Sequence, residues 1–217
     1  MSSISHITKL YSINFYGDEI QTLVTSSSAA VDQWILSIYN LYPHRRRNLI
    51  VGLDTEWYPS FSDEITNPVA IIQLCIGNRC LIFQYLHADA IPVSLMRFLE
   101  SRDFTFVGVG VEDDAKKLMR DHGLRVLATV DVRDMAAEKY GDLGMKRLGL
   151  KKLAFALTGK MMKKPKEITL SDWNCRKLSF AQVEYACIDA YVSFLLGVLI
   201  LPTVSAGNSD KVHYFIE

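Results

Sequence analysis

Residues 48–60 read NLIVGLDTEWYPS. Asn48-Leu49-Ile50-Val51 has the make-up of a strand buried on both faces. Two acids follow directly, Asp54 and Glu56. Successive side chains of a strand alternate between faces, so residues two apart project from the same face. Burying a carboxylate without a partner is strongly unfavourable. A chain that sets two side by side at the end of a core strand must supply something positive between them, and this stretch supplies nothing.

The rest of the chain sets the frame. Its 217 residues suffice for one hydrophobic core with some decoration. The apolar share is 49% and the charged share 22%, the balance of an ordinary globular protein. No uninterrupted apolar run reaches the roughly 18 residues that cross a bilayer. The N-terminus, MSSISHITKLYSINFYGDE, is broken by polar residues every few positions and does not read as a secretory signal. Cys75, Cys80, Cys175 and Cys187 show neither a CxxC pair nor zinc spacing. Cys75 and Cys80 flank a Gly77-Asn78 turn and are expected to lie near each other. All four are expected as reduced thiols in a protein of the nucleus or cytoplasm, neither secreted nor membrane-bound.

A net charge of zero conceals an uneven distribution. Lys146, Arg147, Lys151, Lys152, Lys160, Lys163, Lys164 and Lys166 fall in one segment that holds no acid. With 24 basic and 24 acidic residues in all, these eight leave 16 basic against 24 acidic elsewhere, a balance of −8. The segment is either a solvated face or a surface for a polyanion.

Periodicity and turn residues lay out the elements. Residues 7–16 and 19–25 alternate as a hairpin around Gly17-Asp18. A helix over about 29–42 follows, with Val31, Trp34, Ile35, Ile38 and Tyr39 on one face and Ser26-Ser27-Ser28 as candidate caps. His44-Arg45-Arg46-Arg47 forms a basic turn before a strand at 48–57. Strands at 68–76 and 80–85 complete a meander. Then come a helix at 92–101, a strand at 104–110, a helix at 112–122, a short strand at 127–132 running into a helix to Tyr140, and a helix at 146–158. A loop spans 160–173. A long helix fills 180–200, opened by the capping-box pattern Ser179-x-x-Gln182 and ended by Pro202. Val212-His213-Tyr214-Phe215-Ile216 closes the chain as a last strand or packing arm. A meander followed by alternating strands and helices predicts a single α/β domain with a mixed central sheet flanked by helices. Its core is about 48–200, with residues 1–47 as an N-terminal hairpin and helix extension and 201–217 as a tail.

Two further stretches carry acids in unusual company. In Phe106-Val107-Gly108-Val109-Gly110-Val111-Glu112-Asp113-Asp114 a strand enters a helix through two glycines that allow close backbone approach. Acids in a first helical turn also favour the helix dipole, which accounts for Glu112. Tyr185 and Asp189 stand four apart, hence on one face of the long apolar helix. No Lys or Arg occurs from Phe180 to Leu201, so Asp189 has no local partner. Divalent cations would answer all three cases. Carboxylate oxygens select Mg²⁺ or Mn²⁺ over zinc, and four carboxylates can hold two ions about 3.5–4 Å apart, an arrangement suited to phosphodiester hydrolysis.

Taken in order, these motifs resemble the DnaQ-like 3′–5′ exonucleases of the tyrosine-containing DEDD type, in particular the Werner-type exonuclease domain and then RNase D. Asp54-Thr55-Glu56 matches the first motif. Val107-Gly108-Val109-Gly110-Val111-Glu112-Asp113-Asp114 with Leu118 matches the second, and Tyr185-x-x-x-Asp189 the third. Trp57, the strand Ala70–Leu74, Ser171-Asp172-Trp173 and Leu178-Ser179 with Gln182 fit as well. The resemblance implies a ribonuclease H-like fold and two ions, Mg²⁺ or Mn²⁺. It implies that Asp54, Glu56, Asp114 and Asp189 are the metal ligands, Asp54 bridging both ions, and that Tyr185 orients the attacking water. Asp113 competes with Asp114; the spacing to Leu118 selects Asp114. Thr55 and Trp57 are expected to shape the slot for the terminal nucleotide, with Lys163 and Lys164 as substrate contacts. The implied substrate is the 3′ end of a nucleic acid, DNA favoured, with RNase D-like trimming of RNA and a non-catalytic binding or assembly module as alternatives. The fold also admits homo-oligomers, and the N-terminal hairpin and the tail are candidate sheet extensions or oligomer contacts.

Overall fold

The run at 49–56 is the central strand of the sheet, and its neighbours explain why it is so apolar. A computed structural model describes residues 7–43, 49–60 and 66–201. The basic turn at 44–47, residue 48, Pro202 and the 203–217 tail lie outside the described residues. In chain order the elements are β1 (Thr8–Phe15), β2 (Asp18–Thr25), α1 (Ser28–Leu41), β3 (Leu49–Glu56), β4 (Ile71–Ile76), β5 (Arg79–Phe83), α2 (Val93–Leu99) and β6 (Phe104–Gly108). They continue with α3 (Val111–His122), β7 (Thr129–Asp131), α4 (Val132–Tyr140), α5 (Leu150–Thr158), α6 (Lys166–Thr169) and α7 (Phe180–Ile200). The strands form one mixed sheet in the order β1-β2-β5-β4-β3-β6-β7. β3, β4 and β5 are the antiparallel meander, and β6 and β7 join it in parallel beyond β3. The N-terminal hairpin is a sheet extension: β2 pairs in parallel with β5, from Gln21↔Arg79 to Thr25↔Phe83.

Register assigns the two faces. Leu49 and Val51 lie opposite Phe104 and Phe106, and these share a face with the aromatic cluster of Trp34, Tyr39 and Phe98 from α1 and α2. Ile50, Gly52, Asp54 and Glu56 occupy the other face, which α7 crosses. α7 has the length and hydropathy of a membrane span, but 72% of its apolar window is buried against this sheet and its flanking helices. Its start carries the predicted capping box, with Ser179 and Gln182 bonded reciprocally. The α1 cap differs from expectation. Ser27 is the N-cap without a side-chain bond, and Asp89 accepts from the Ser28 N–H instead (2.8 Å).

Two local expectations are corrected, and the close approach expected at Gly108 is met. The helix expected at 146–158 is a 3₁₀ turn over Leu143–Arg147 followed by α5, because Leu148 and Gly149 are extended and Gly149 serves as the N-cap. The loop at 160–173 contains the short α6. Gly108 admits the carbonyl of Leu53, 2.7 Å from where a Cβ would stand, so the close approach there is by the chain itself. The four cysteines are free thiols, Cys75 and Cys80 facing each other across the hairpin.

Among the described glycines, the closest backbone approach is at Gly52. A Cβ there would sit 1.9 Å from the Ala190 carbonyl oxygen and 2.7 Å from the Phe194 nitrogen, both backbone atoms of α7. At Gly197 on α7, the atoms nearest a Cβ would be side-chain ones, the methyls of Val107 and Ile50 at 2.7 and 2.8 Å and Val107 Cβ at 3.3 Å. Methyls can turn aside, whereas a helix backbone must shift as a whole. Gly52→Ala is therefore expected to destabilise by about 3 kcal/mol or more and Gly197→Ala by about 1–3 kcal/mol. Equilibrium denaturation of both variants measures the order, and equal losses would contradict it.

Candidate active site

Asp54 and Glu56 project from the end of β3 toward α7, where the close approach at Gly52 brings Asp189 alongside. One carboxylate oxygen from each of Asp54, Glu56 and Asp189 lies within 4.8 Å of the others. Asp189 is only 2% exposed, and the other two are half-buried above it. Asp114 enters from α3. Gly110, in the left-handed conformation (φ 77°), turns the chain out of β6 into that helix, and its N–H donates to Asp131 (2.8 Å). The Thr55 hydroxyl then donates to Asp114 (2.7 Å). Asp113 points elsewhere: its side chain is 85% exposed and pairs with Lys116 at 3.0 Å. The geometry separates these neighbouring acids, bringing Asp114 toward the cluster and leaving Asp113 in solvent.

Tyr185 lies one turn before Asp189. Its phenol accepts from the Thr169 hydroxyl (3.4 Å), and its ring packs 5.8 Å from that of Trp173. Gln182 ties this corner together, donating to Ser171 Oγ and the Asp172 carbonyl, both at 3.0 Å, while accepting from the Ser179 N–H. The Ser171-Asp172-Trp173 and Ser179-x-x-Gln182 patterns thus act at one place, fixing the first turn of the helix that carries Tyr185 and Asp189.

The substrate contacts expected from the sequence are distributed differently. The Thr55 side chain is 3% exposed and its hydroxyl is committed to Asp114, so it holds an acid rather than lining an open slot. Trp57 is partly exposed just past β3, its ring beneath the Lys117 ammonium at 4.8 Å. Lys117 is itself held by Asp121 (2.8 Å) and the Asn67 carbonyl (2.7 Å). Lys163 is exposed. Lys164 turns inward, its ammonium paired with Asp189 and 5.2 Å from the centre of the Tyr185 ring. Asp189 therefore does have a cationic partner, contributed by a loop well before its own helix. Sequence reasoning missed this pair because no local spacing relates the two residues. The i, i+4 spacing of Lys117 and Asp121 was the one readable signal among these supports. The basic segment is also less free than it reads: Lys146 pairs with Asp134, Lys160 with Asp18 and Lys164 with Asp189. Arg147, Lys151, Lys152, Lys163 and Lys166 remain exposed.

Crowding shows in the protonation equilibria. Burial, with the charges of Asp54 and Asp189, pushes Glu56 up to about 10. Burial and the Asp54 charge raise Asp114 to about 8. Asp189 is raised to about 7 by burial, against the opposing charge of Lys164. Asp54 is also raised by burial, opposed by Lys164 and the Thr55 N–H. One lysine does not neutralise four acids. An all-oxygen set of this density fits a hard divalent cation, and Asp54, Glu56 and Asp189 are placed to hold one.

Known proteins resemble this chain over most of its length. Residues 24–200 match the family described as 3′–5′ exonuclease. A 3′–5′ exonuclease of Arabidopsis thaliana is 33% identical over 193 residues, covering 86% of this chain and 66% of the relative. The bifunctional 3′–5′ exonuclease/ATP-dependent helicase WRN of Mus musculus is 32% identical over 148 residues, 68% of this chain and 10% of that protein. The chain thus spans less than two thirds of either relative. The crystal structure of Escherichia coli RNase D, an exoribonuclease involved in structured RNA processing, superimposes with a TM-score of 0.65 at 19% identity, over 81% of this chain and 42% of that one. This likeness establishes the ribonuclease H-like fold.

The raised carboxyls carry a stability consequence. In the folded, metal-free protein Glu56, Asp114 and Asp189 retain protons that an unfolded chain releases near 3.8–4.5. The native state then binds more protons than the unfolded state above that range, so stability falls as pH rises. Melting of metal-free protein from about pH 5 to about pH 9 is expected to show a declining Tm. Glu56→Gln is expected to flatten that decline and to raise the neutral-pH Tm, by about 2–4 °C for each kcal/mol removed from the cost of keeping this buried carboxyl protonated. A Tm that climbs with pH across this range would contradict the raised carboxyls.

Proposed function

This chain belongs to the 3′–5′ exonuclease family, and from that premise we propose that it hydrolyses nucleic acid from the 3′ end, DNA in preference to RNA, at the carboxylate cluster. The observation that carries the reading is the convergence of Asp54, Glu56 and Asp189 within 4.8 Å, with Asp114 tethered beside them and Tyr185 on the same helix face as Asp189. Asp54, Glu56 and Asp189 would hold one divalent ion, Mg²⁺ or Mn²⁺. Asp54 would share a second with Asp114. Bound there, the ions would acidify a water and offset charge on the leaving oxygen.

The chain's own groups do the positioning. β3 fixes two carboxylates on one rigid strand, and α7 sets the third against them. Thr55 holds Asp114 in the orientation that faces Asp54. Tyr185 stands on the same helix face as Asp189, where its phenol O–H would serve Asp189 or a water or phosphate oxygen beside it. Arg147, Lys151, Lys152, Lys163 and Lys166 offer exposed positive charge for the backbone of the strand being shortened, a contact indifferent to base sequence. The preference for DNA rests on the Werner-like context of the three motifs.

A time course with Mg²⁺ or Mn²⁺ on matched 3′-recessed DNA and single-stranded RNA tests the assignment. Mononucleotide release from the DNA is expected, reduced about 10³-fold or more by Asp54→Ala and about 10²-fold by Tyr185→Phe. Full activity of Asp54→Ala would refute the site. Faster release from RNA would reassign the substrate to RNA trimming, and binding without release from either would make the chain a binding module. The basic face makes a separate prediction. Lys163→Ala and Lys166→Ala are each expected to lower the slope of log affinity against log salt by about 1, with base preference unchanged.

A further inference from the structure

Lys164 stands where a cation belongs. Its ammonium pairs with Asp189, the most buried of the acids, and carries the principal opposing charge at Asp54 as well. Its side chain is about three-quarters shielded from solvent. The loop that bears it is secured on both sides. Lys160 pairs with Asp18 (2.8 Å), the Met161 N–H donates to the Tyr16 phenol (3.0 Å) and Met162 is buried. Beyond Pro165, α6 sets Thr169 against Tyr185. With its backbone held, Lys164 has one easy motion, rotation of its flexible four-carbon stem.

We propose that Lys164 is an intramolecular counter-ion that occupies the carboxylate cluster in the metal-free protein and must be displaced for a divalent ion to load. An unscreened pocket of four acids would be strongly destabilising. One ammonium offsets part of that repulsion and keeps the empty site folded. It cannot complete the site, because a single ammonium pairs directly with only one of the four carboxyl groups. A divalent ion brings twice the charge and takes several oxygens at once, so it wins, though against an occupied site. Lys164 thereby sets the concentration of free divalent ion at which the protein becomes active. This rests on the metal-carboxylate reading above and adds a competitor to it.

The test is a calorimetric titration with Mn²⁺ alone, in mildly alkaline buffer where proton competition is weakest, on wild type, Lys164→Met and Lys164→Gln. Both variants remove the charge and leave a side chain only one atom shorter, and Gln retains a polar end should Met fail to fold. Each is expected to bind Mn²⁺ about tenfold more tightly than wild type, within the usual range for coupled sites. Metal-free Tm is expected to fall while Mn²⁺-loaded Tm stays near wild type, so the rise in Tm on adding Mn²⁺ widens. Unchanged or weaker Mn²⁺ binding in a folded variant, with wild type binding normally, would overturn the displacement and leave the metal site standing. No Mn²⁺ binding by wild type would overturn the metal-carboxylate reading itself.

Discussion

The contact on which the rest depends is that between the backbone of α7 and the backbone of β3 at Gly52. A side chain there would collide with the Ala190 carbonyl, so the helix lies closer to the strand than any other residue would permit. The next outward position on the same face of β3 is Asp54, and the residue before Ala190 is Asp189. One missing Cβ therefore fixes the gap between two carboxylates from elements more than a hundred residues apart. The capping box at Ser179 and Gln182 sets where the helix starts, and the glycine sets how near it lies. Asp114 reaches the cluster by a different route, through Thr55, whose side chain points to the opposite face of β3 from Asp54.

The electrostatics follow from that spacing. Acids this close and this shielded cannot all ionise comfortably, and the protein tolerates the arrangement because its core is extensive and rigid around it. Strand β3 is buried along its length until the acids, and the aromatic cluster of Phe98, Phe104 and Phe106 backs it on the far face. A loose scaffold would relieve the repulsion by spreading apart. Here the strain stays concentrated where a cation, whether a lysine or a metal, can relieve it.

Much of this was legible in the sequence, and what was not has a common cause. The strands of the meander, α1, α3 and α7 announce themselves by period and capping, which are local properties. The three acid motifs were legible because each puts charge in or at the end of an apolar element. The parallel pairing of β2 with β5 was not, since nothing in either strand records its partner. Nor was the pairing of Lys164 with Asp189: composition made Lys164 one more member of a basic run, and only the path of the loop turns it inward. The resemblance put Thr55 in the slot for the terminal nucleotide, while alternation along the strand takes its hydroxyl to Asp114 on α3. Gly52 carries no local mark in the sequence of the helix backbone that approaches it.

The N-terminal hairpin bears on where this molecule can be cut. The family match opens at residue 24, inside β2, as though the preceding residues were an optional addition. Yet Tyr16 and Asp18, at the hairpin's turn, grip Met161 and Lys160 at the root of the loop that delivers Lys164. A fragment trimmed to the shared family boundary would strip β5 of its neighbour and unfasten that loop, while every recognised motif residue remained in place. The stretch matched to the family and the set of residues that fasten the Lys164 loop differ here by one hairpin.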